Sequence, residues 1–271
     1  MYTPLFSPFP LDLSKIKFGF VYDDSFHNPQ DPDIDPSHIH SGYEFYINIT
    51  GDVCFLVNNK FYPIKRGDVI ITKPNDVHIC IYNSPCTHEH FCIWLECEEN
   101  SPLIKFMQND FASKFCFTEK NKEKLIEILR SLQNSNNDLE KGAQLLNFFA
   151  MFNAEKNVKN DEIEMVIPQD MQSVLDYIDA NFVEIHSVKE VCDKCFISTA
   201  TLNRWCKKHI NLSPREFLEA KKLALAKKLL SDGIAVNDVC VKAGFSDCSY
   251  FISVFKKKFG ETPYKYCKKN K

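Results

Sequence analysis

From Tyr43 to Leu95 apolar residues recur at every second position in short runs. Phe45, Ile47 and Ile49 form one run, Val53, Phe55 and Val57 the next, Val69 and Ile71 a third. Alternation of this period sends one set of side chains to each face of a pleated strand. Thr50, Gly51 and Asp52, then Asn58 and Asn59, then Arg66, Gly67 and Asp68 separate the runs. These residue types accept the backbone angles of tight turns. Short strands so spaced predict a small antiparallel barrel or sandwich over residues 1–118.

After residue 118 the period lengthens. Leu125, Ile128, Leu129 and Leu132 fall at helical spacing, as do Leu139, Ala143, Leu146, Phe149 and Ala150, with Asn134, Ser135, Asn136 and Asn137 breaking the pattern between them. Two amphipathic helices over 119–154 follow, either covering the open face of the barrel or supplying a dimer contact. Residues 155–167 begin as a polar Lys/Asn/Glu-rich stretch without a helical stripe and read as an interdomain linker.

The remainder, 168–271, is helical throughout and contains a repeat. Ser187, Val188, Val191, Cys192, Lys194, Ile197 and Ser198 match Ala235, Val236, Val239, Cys240, Lys242, Phe245 and Ser246, a displacement of 48 positions. Each copy reads as a helix, a tight turn and a second helix with a lysine-rich end, at about 187–209 and about 235–258. Ser187 with Glu190, and Ser213 with Glu216 and Pro214, form capping signals that start helices. The second opens a helix from Pro214 to about Leu230, with Phe217, Leu218, Leu223 and Leu225 or Leu229 on apolar stripes, that spaces the two copies. The predicted fold class is α+β in two domains: an N-terminal antiparallel β-barrel with two following helices, and an all-α C-terminal domain with two helix-turn-helix motifs.

Composition adds limits. The chain has 271 residues, 44% of them hydrophobic and 13% aromatic, enough for two domains with substantial cores. No run approaches the roughly 18 apolar residues of a membrane helix, and Met1 to Pro10 lack the pattern of a secretion signal. A cytoplasmic protein without a membrane partner is expected. The net charge of −3 hides an asymmetry: residues 168–271 carry 18 Lys and Arg against 12 Asp and Glu, whereas the preceding part carries 15 against 24. The basic surplus sits on the repeat, as it would if that half faced phosphates.

Twelve cysteines are present, including one Cys192/Cys195 CxxC. A zinc site needs a second ligand pair, and only His209 is at hand. Cys192 and Cys240 recur on the apolar side of their helices and read as small buried hydrophobes; without a secretion signal, disulfides are not expected.

His38, His40, Glu44 and His78 fall within the strand-rich half. The segment HIHSGYEFYINITGDVCFLVNNKFYPIKRGDVIITKPNDVH resembles the cupin barrel of sugar-sensing and related regulators. That resemblance implies a small-molecule effector pocket involving His38, His40, Glu44, Tyr46 and His78, with no cofactor. In metal-dependent cupin enzymes the matching residues hold a metal through imidazoles and a carboxylate, so metal ligation by His40, Glu44 and His78 stands as the alternative, beside an ordinary structural role. Tyr22, Tyr43, Tyr46, Tyr82 and Trp94 are aromatics suited to stacking on a sugar or other ring. His88 and His90 form an HxH pair on one face of a strand, which solvent can cover, and are read as ordinary structural groups.

The ending GFSDCSYFISVFKKKFGETPYKY and the preceding SVKEVCDKCFISTATLNRWCKKHINLSPREFLEAKKLALAKKLL look like the DNA-binding domain of AraC-type regulators, over nearly all of the last hundred residues. The resemblance implies double-stranded DNA as partner, a homodimer, and RNA polymerase as a further candidate partner. By position it places Ala200, Asn203 and Arg204 in the major groove, where Arg suits guanine O6/N7 and Asn suits adenine N6/N7. Thr199 and Lys207 would reach phosphate. The second motif carries Ser253 where many relatives have arginine, beside Cys248, Ser249 and Tyr250. It is therefore expected to bind mainly backbone, through Ser249, Lys256, Lys257 and the helix N-terminus near Ser246. Asn211 stands where the family often has glycine, a substitution the left-handed conformation tolerates. The function so implied is a sequence-specific transcription regulator, an activator under effector control with no catalytic residues. A metal-dependent cupin enzyme fused to a DNA-binding module, and an effector-independent regulator using its barrel only to dimerise, are the other readings.

Overall fold

The computed structural model describes residues 12, 15–28, 37–38, 42–74, 76–98, 100–107, 113–155 and 168–269. His40 and linker residues 156–167 lie outside them. Eleven described strands make up the N-terminal part: β1 (Lys17–Asp23), β2 (Phe26–His27), β3 (Ser37–His38), β4 (Tyr43–Asn48), β5 (Val53–Val57), β6 (Lys60–Pro63), β7 (Val69–Thr72), β8 (His78–Tyr82), β9 (Cys86–Thr87), β10 (His90–Glu96) and β11 (Lys114–Phe115). Their ladders are antiparallel and do not close into one barrel. They form a five-stranded sheet in the order β1-β10-β4-β7-β11, a four-stranded sheet in the order β3-β8-β5-β6, and the small pair β2-β9. The expected barrel is thus an open one with two principal walls.

Strand alternation decides which layer each residue joins. Phe45, Ile47, Val69, Ile71, Phe91, Ile93 and Leu95 leave the outer face of the five-stranded sheet and meet helices α1 (Glu119–Asn134) and α2 (Asp138–Ala154). Tyr46, Ile70 and Cys92 of that sheet face Val53, Phe55 and Val57 of the other and fill the layer between them. Buried aromatic rings dominate the first core: Phe45 lies 5.7 Å from Phe148 and 5.2 Å from Phe149, centroid to centroid, in edge contacts.

The α2 phase differs from the expected one. Leu145, Phe148, Phe149 and Phe152 form the buried stripe, while Leu139, Ala143 and Ala150 are exposed and Leu146 is half-buried. Three phenylalanines remove far more apolar area from water than two alanines, so they set the rotation of the helix.

The C-terminal part comprises α3 (Gln169–Asn181), α4 (Val188–Cys195), α5 (Thr199–His209), α6 (Pro214–Ser231), α7 (Val236–Lys242), α8 (Cys248–Phe259) and α9 (Pro263–Lys269). Ser213 and Glu216 make a full reciprocal capping box at α6, at 3.2 and 2.7 Å. At α4 Ser187 caps the Glu190 N–H, but Glu190 reaches back to the N–H of His186 instead, at 2.9 Å. Asn211 has φ 52°, in the left-handed region, as expected of its position.

Helix α6 is buried on most of its circumference, three of its lysines included. Lys222 Nζ donates to the carbonyl of Ile185 at 2.7 Å and to that of Gly244 at 2.6 Å, joining the loop before α4 to the turn after α7. Gly244 has φ +80°, and a Cβ there would lie 2.1 Å from the Val183 carbonyl oxygen. Direct backbone contact and a buried ammonium therefore hold the two helix-turn-helix units in one relative orientation.

Candidate functional site

In the first motif, helices α4 and α5 meet at Phe196, which adopts the left-handed conformation. Leu202, Trp205 and Cys206 bury the inner face of α5. Thr199, Ala200, Asn203, Arg204 and Lys207 are all exposed, on the opposite side. Asn203 Nδ2 donates to the Thr199 carbonyl at 2.8 Å, resting on its own helix. Ser198 caps α5, and Lys207 and Lys208 close it, where cations complement the helix dipole; burial and the Lys208 ammonium push the His209 pKa down.

In the second motif, Ser249, Tyr250, Ser253, Lys256 and Lys257 of α8 are exposed, while Phe251 and Phe255 are buried. Three features depart from the expected contact set. Cys248 is bonded to Cys240 in a disulfide, which turns its sulfur toward the core and away from any groove. The disulfide itself was not expected. Asp247 accepts from the N–H groups of Ser249 and Tyr250 at 2.7 and 2.9 Å, so the α8 N-terminus already holds a carboxylate where a phosphate was expected. Tyr250 donates its hydroxyl to Glu219 and accepts from Arg215 Nη2 at 3.2 Å, tying it to α6.

Arg215, two positions into α6, is a neighbour of this surface that sequence reasoning missed because it lies on neither recognition helix. The Ser213 N–H holds the Glu216 carboxyl below the usual carboxylate range, and the ammonium groups of Lys207 and Lys257 add to the effect. The basic ends of α5 and α8 thus converge on the start of α6.

Within the N-terminal part, Glu44 and His78 come together across the two sheets, Oε2 to Nε2 at 2.7 Å, both nearly inaccessible to solvent. The β3 backbone places His38 opposite His78 in the ladder. Tyr46 belongs to the same inner layer. Of the other aromatic candidates Tyr82 and Trp94 also face it, whereas Tyr22 and Tyr43 pack on the helix side.

His88 and His90 are not surface groups. His88 is fully buried, and the Tyr46 hydroxyl is hydrogen-bonded to its Nε2. His90 stacks on His88 at 4.6 Å and on Tyr46 at 4.7 Å, and His27 stacks on Tyr82 at 4.4 Å. Burial holds His88 down to about 3 and His90 to about 4, and pushes the Cys80 thiol up to about 12. His88, His90 and Cys80 are therefore uncharged near pH 7. Asn48 Oδ1, Thr72 Oγ1, His88 Nδ1 and His90 Nδ1 are buried without a hydrogen-bond partner, an arrangement that water or a polar ligand relieves. No cluster of three or more His, Cys, Asp or Glu among the described residues is arranged to hold a metal ion. No described helix is long and apolar enough to cross a membrane.

Comparison with known proteins decides the family. Residues 26–149 match the model of the AraC-like ligand binding domain, and residues 191–269 match a helix-turn-helix domain model. The chain belongs to the AraC/XylS family of transcription regulators. It is an effector-controlled regulator, with the ligand-binding part first and the DNA-binding part second. Among curated relatives of this AraC-family chain, the HTH-type transcriptional activator RhaS of Escherichia coli O81 (strain ED1a) is 24% identical over 257 residues, 87% of this chain and 88% of the relative. RhaS of Citrobacter koseri is 22% identical over 250 residues, 84% and 86% of the two chains. A solved structure of unsaturated fatty acid bound ToxT from Vibrio cholerae covers 93% of this chain and 94% of its own, at 15% identity and a TM-score of 0.37.

A further property of this AraC-family chain is the way its two parts touch. The four-stranded sheet is shared: His78, Cys80 and Tyr82 of β8 turn inward, while Ile79 and Ile81 turn outward and join Met171, Val174, Trp205 and Phe217 in one core. Cys54, Leu56 and Phe61 of β5 and β6 join them. Gln172 Nε2 donates to the Asn59 carbonyl at 3.5 Å along the same seam. One layer of sheet therefore separates the polar interior from the underside of α5.

Proposed function

We propose that this regulator is a transcriptional activator in which a small uncharged polar molecule of the sugar class binds between the two sheets. Its interior ring of Tyr46, Tyr82, His88 and His90, beside the Glu44–His78 pair, offers stacking faces, and Asn48, Thr72, His88 and His90 add unpaired polar atoms. No lysine or arginine belongs to that set to offset a phosphate or carboxylate. Linkage then requires the effector to favour one arrangement of β8 over another, and the outward face of the same strand passes the preference to α5. The observation that carries this reading is the shared four-stranded sheet.

On the DNA side, Arg204 and Asn203 are the base-reading residues, Ala200 offers apolar contact, and Thr199, Lys207, Ser249, Ser253, Lys256 and Lys257 bind backbone. Tyr250 and Arg215 brace α8 against α6. The proposed division of the chain is 1–118 for the effector domain, 119–154 for the helical pair, 155–167 for the linker and 168–271 for the DNA-binding domain. The exposed α2 stripe of Leu139, Ala143 and Ala150 is the proposed homodimer contact. Activity in the cytoplasm, recruitment of RNA polymerase and absence of catalysis complete the proposal; the activator role is supported by the name of the RhaS relatives.

Selection of bound duplexes from a random DNA pool by the full-length protein, with and without a panel of sugars and polyols, tests this reading. Recovery of one sequence motif whose occupancy changes with a panel member is the expected result. A chain that enriches no sequence at low salt overturns the DNA assignment; enrichment unaffected by every panel member, with no thermal stabilisation by any, overturns the effector class.

A further inference from the structure

Cys240 and Cys248 are eight residues apart in sequence and joined across the turn of the second helix-turn-helix, with Cα atoms 5.6 Å apart. That separation is within the range an unforced disulfide spans. The equivalent positions in the first motif are Cys192 and Ala200. There the helix-turn-helix forms with no second sulfur, and Cys192 is free. The bond in the second motif is thus an addition to a fold that does not need it. Disulfides in a reducing compartment, where DNA-bound regulators work, are transient and sensing rather than structural.

We propose that Cys240 and Cys248 are a reversible thiol–disulfide site that sets how firmly the second recognition helix is held, and through it the affinity for DNA. Cys248, the first residue of α8, is half-buried and open to small reagents; Cys240 on α7 is 1% exposed. The order of events follows from that difference. The Cys248 thiolate attacks a low-molecular-weight disulfide, forming a mixed disulfide and releasing one thiol. The Cys240 thiolate then attacks the Cys248 sulfur, the Cys240–Cys248 bond forms and the second thiol leaves. Two protein thiols are oxidised, one small disulfide is reduced to two thiols, and the two protons go to those leaving groups.

The oxidised state fixes the α7–α8 angle and the start of the helix that presents Ser249, Ser253 and Lys256. The reduced state leaves that angle to packing among Val239, Phe245, Phe251 and Phe255. Pre-organisation of the bound geometry raises affinity by removing an ordering cost. This inference rests on the family's DNA-binding function, and its chemical part is read independently of DNA.

The test uses the full chain equilibrated with dithiothreitol or with oxidised glutathione. Free thiols are alkylated and peptides mapped by mass, and affinity for the selected duplex is measured by fluorescence anisotropy. The expected result is a Cys240–Cys248 linkage in the oxidised sample and about tenfold tighter binding than in the reduced one. Cys248→Ala, which copies Ala200, keeps the reduced affinity under both conditions, with Cys248→Ser as the second variant should the first lose helicity. Alkylation of both cysteines after oxidised glutathione overturns the site. A mapped bond with equal affinity in both states, or an oxidant response that Cys248→Ala retains, overturns its role. A chain that forms the bond but binds no duplex in either state counts against the regulator reading instead.

Discussion

Phe61 of the β5–β6 hairpin meets the indole of Trp205 edge-on, with ring centroids 6.1 Å apart and planes at 90°. One ring belongs to the ligand-binding part and the other to the underside of the first recognition helix. Trp205 is also stacked on His209, 5.1 Å away, near the end of that helix. Removing Phe61 takes a buried ring from the seam between the two parts. Phe61→Ala is expected to cost about 3 kcal/mol of stability and to split a single calorimetric unfolding transition into two. A single unchanged transition would show that the seam does not couple the parts.

Arg204 is exposed on α5, and its guanidinium is free to fork onto a guanine. Arg204→Ala is expected to weaken specific binding by roughly 1–3 kcal/mol and to relax sequence choice at one base, whereas Lys257→Ala lowers affinity for all sequences and reduces the salt slope by about one. Anisotropy titrations at several salt concentrations separate the two. An unchanged sequence preference in Arg204→Ala would remove α5 from base reading.

Lys222 bridges the carbonyls of Ile185 and Gly244. Lys222→Met leaves both buried acceptors without their charged donor, and a loss of about 2–3 kcal/mol in denaturant unfolding is expected. Gly244→Ala should be as damaging, because the left-handed φ and the Val183 carbonyl both oppose a Cβ. A variant of either kind with wild-type stability would show that the two motifs are not held by this joint.

His88 and His90 are kept neutral by burial, with folded-state values of about 3 and about 4 against an ordinary 6.5. The unfolded chain binds protons first as pH falls, so stability is full above about pH 6.5 and declines down to about pH 4 and below. The melting temperature measured across that window should drop, and the slope should flatten in His88→Asn/His90→Asn. An equal slope in that variant would assign the acid sensitivity to other groups.

Leu139, Ala143 and Ala150 face solvent on α2. Leu139→Lys with Ala143→Glu is expected to convert a dimer to a monomer in sedimentation velocity without changing the melting temperature by more than about 2 °C. A wild-type chain that sediments as a monomer at all concentrations would eliminate this contact.

The helix-turn-helix repeat was legible because its signals are local. Ser187, Ser198 and Ser213 cap helices through atoms three residues away, and the inward positions of Leu202 and Trp205 follow from a 3.6-residue period. The alternation of β4, β5 and β7 was equally local. Glu44, Tyr46 and His78 could be named as interior candidates, and the structure brings them into one inter-sheet layer.

What the sequence determined by itself, then, is the order of the elements, their amphipathic faces and the family, since each depends on neighbours within a turn or a pleat. Tertiary structure alone decided the rest. It carried His88 to Tyr46 across 42 positions, rotated α2 onto its phenylalanines, placed Cys248 against Cys240, and used both faces of β8. Those outcomes depend on distances between segments remote in the chain and on how many large rings one interface can bury, quantities that no local pattern of residue types contains.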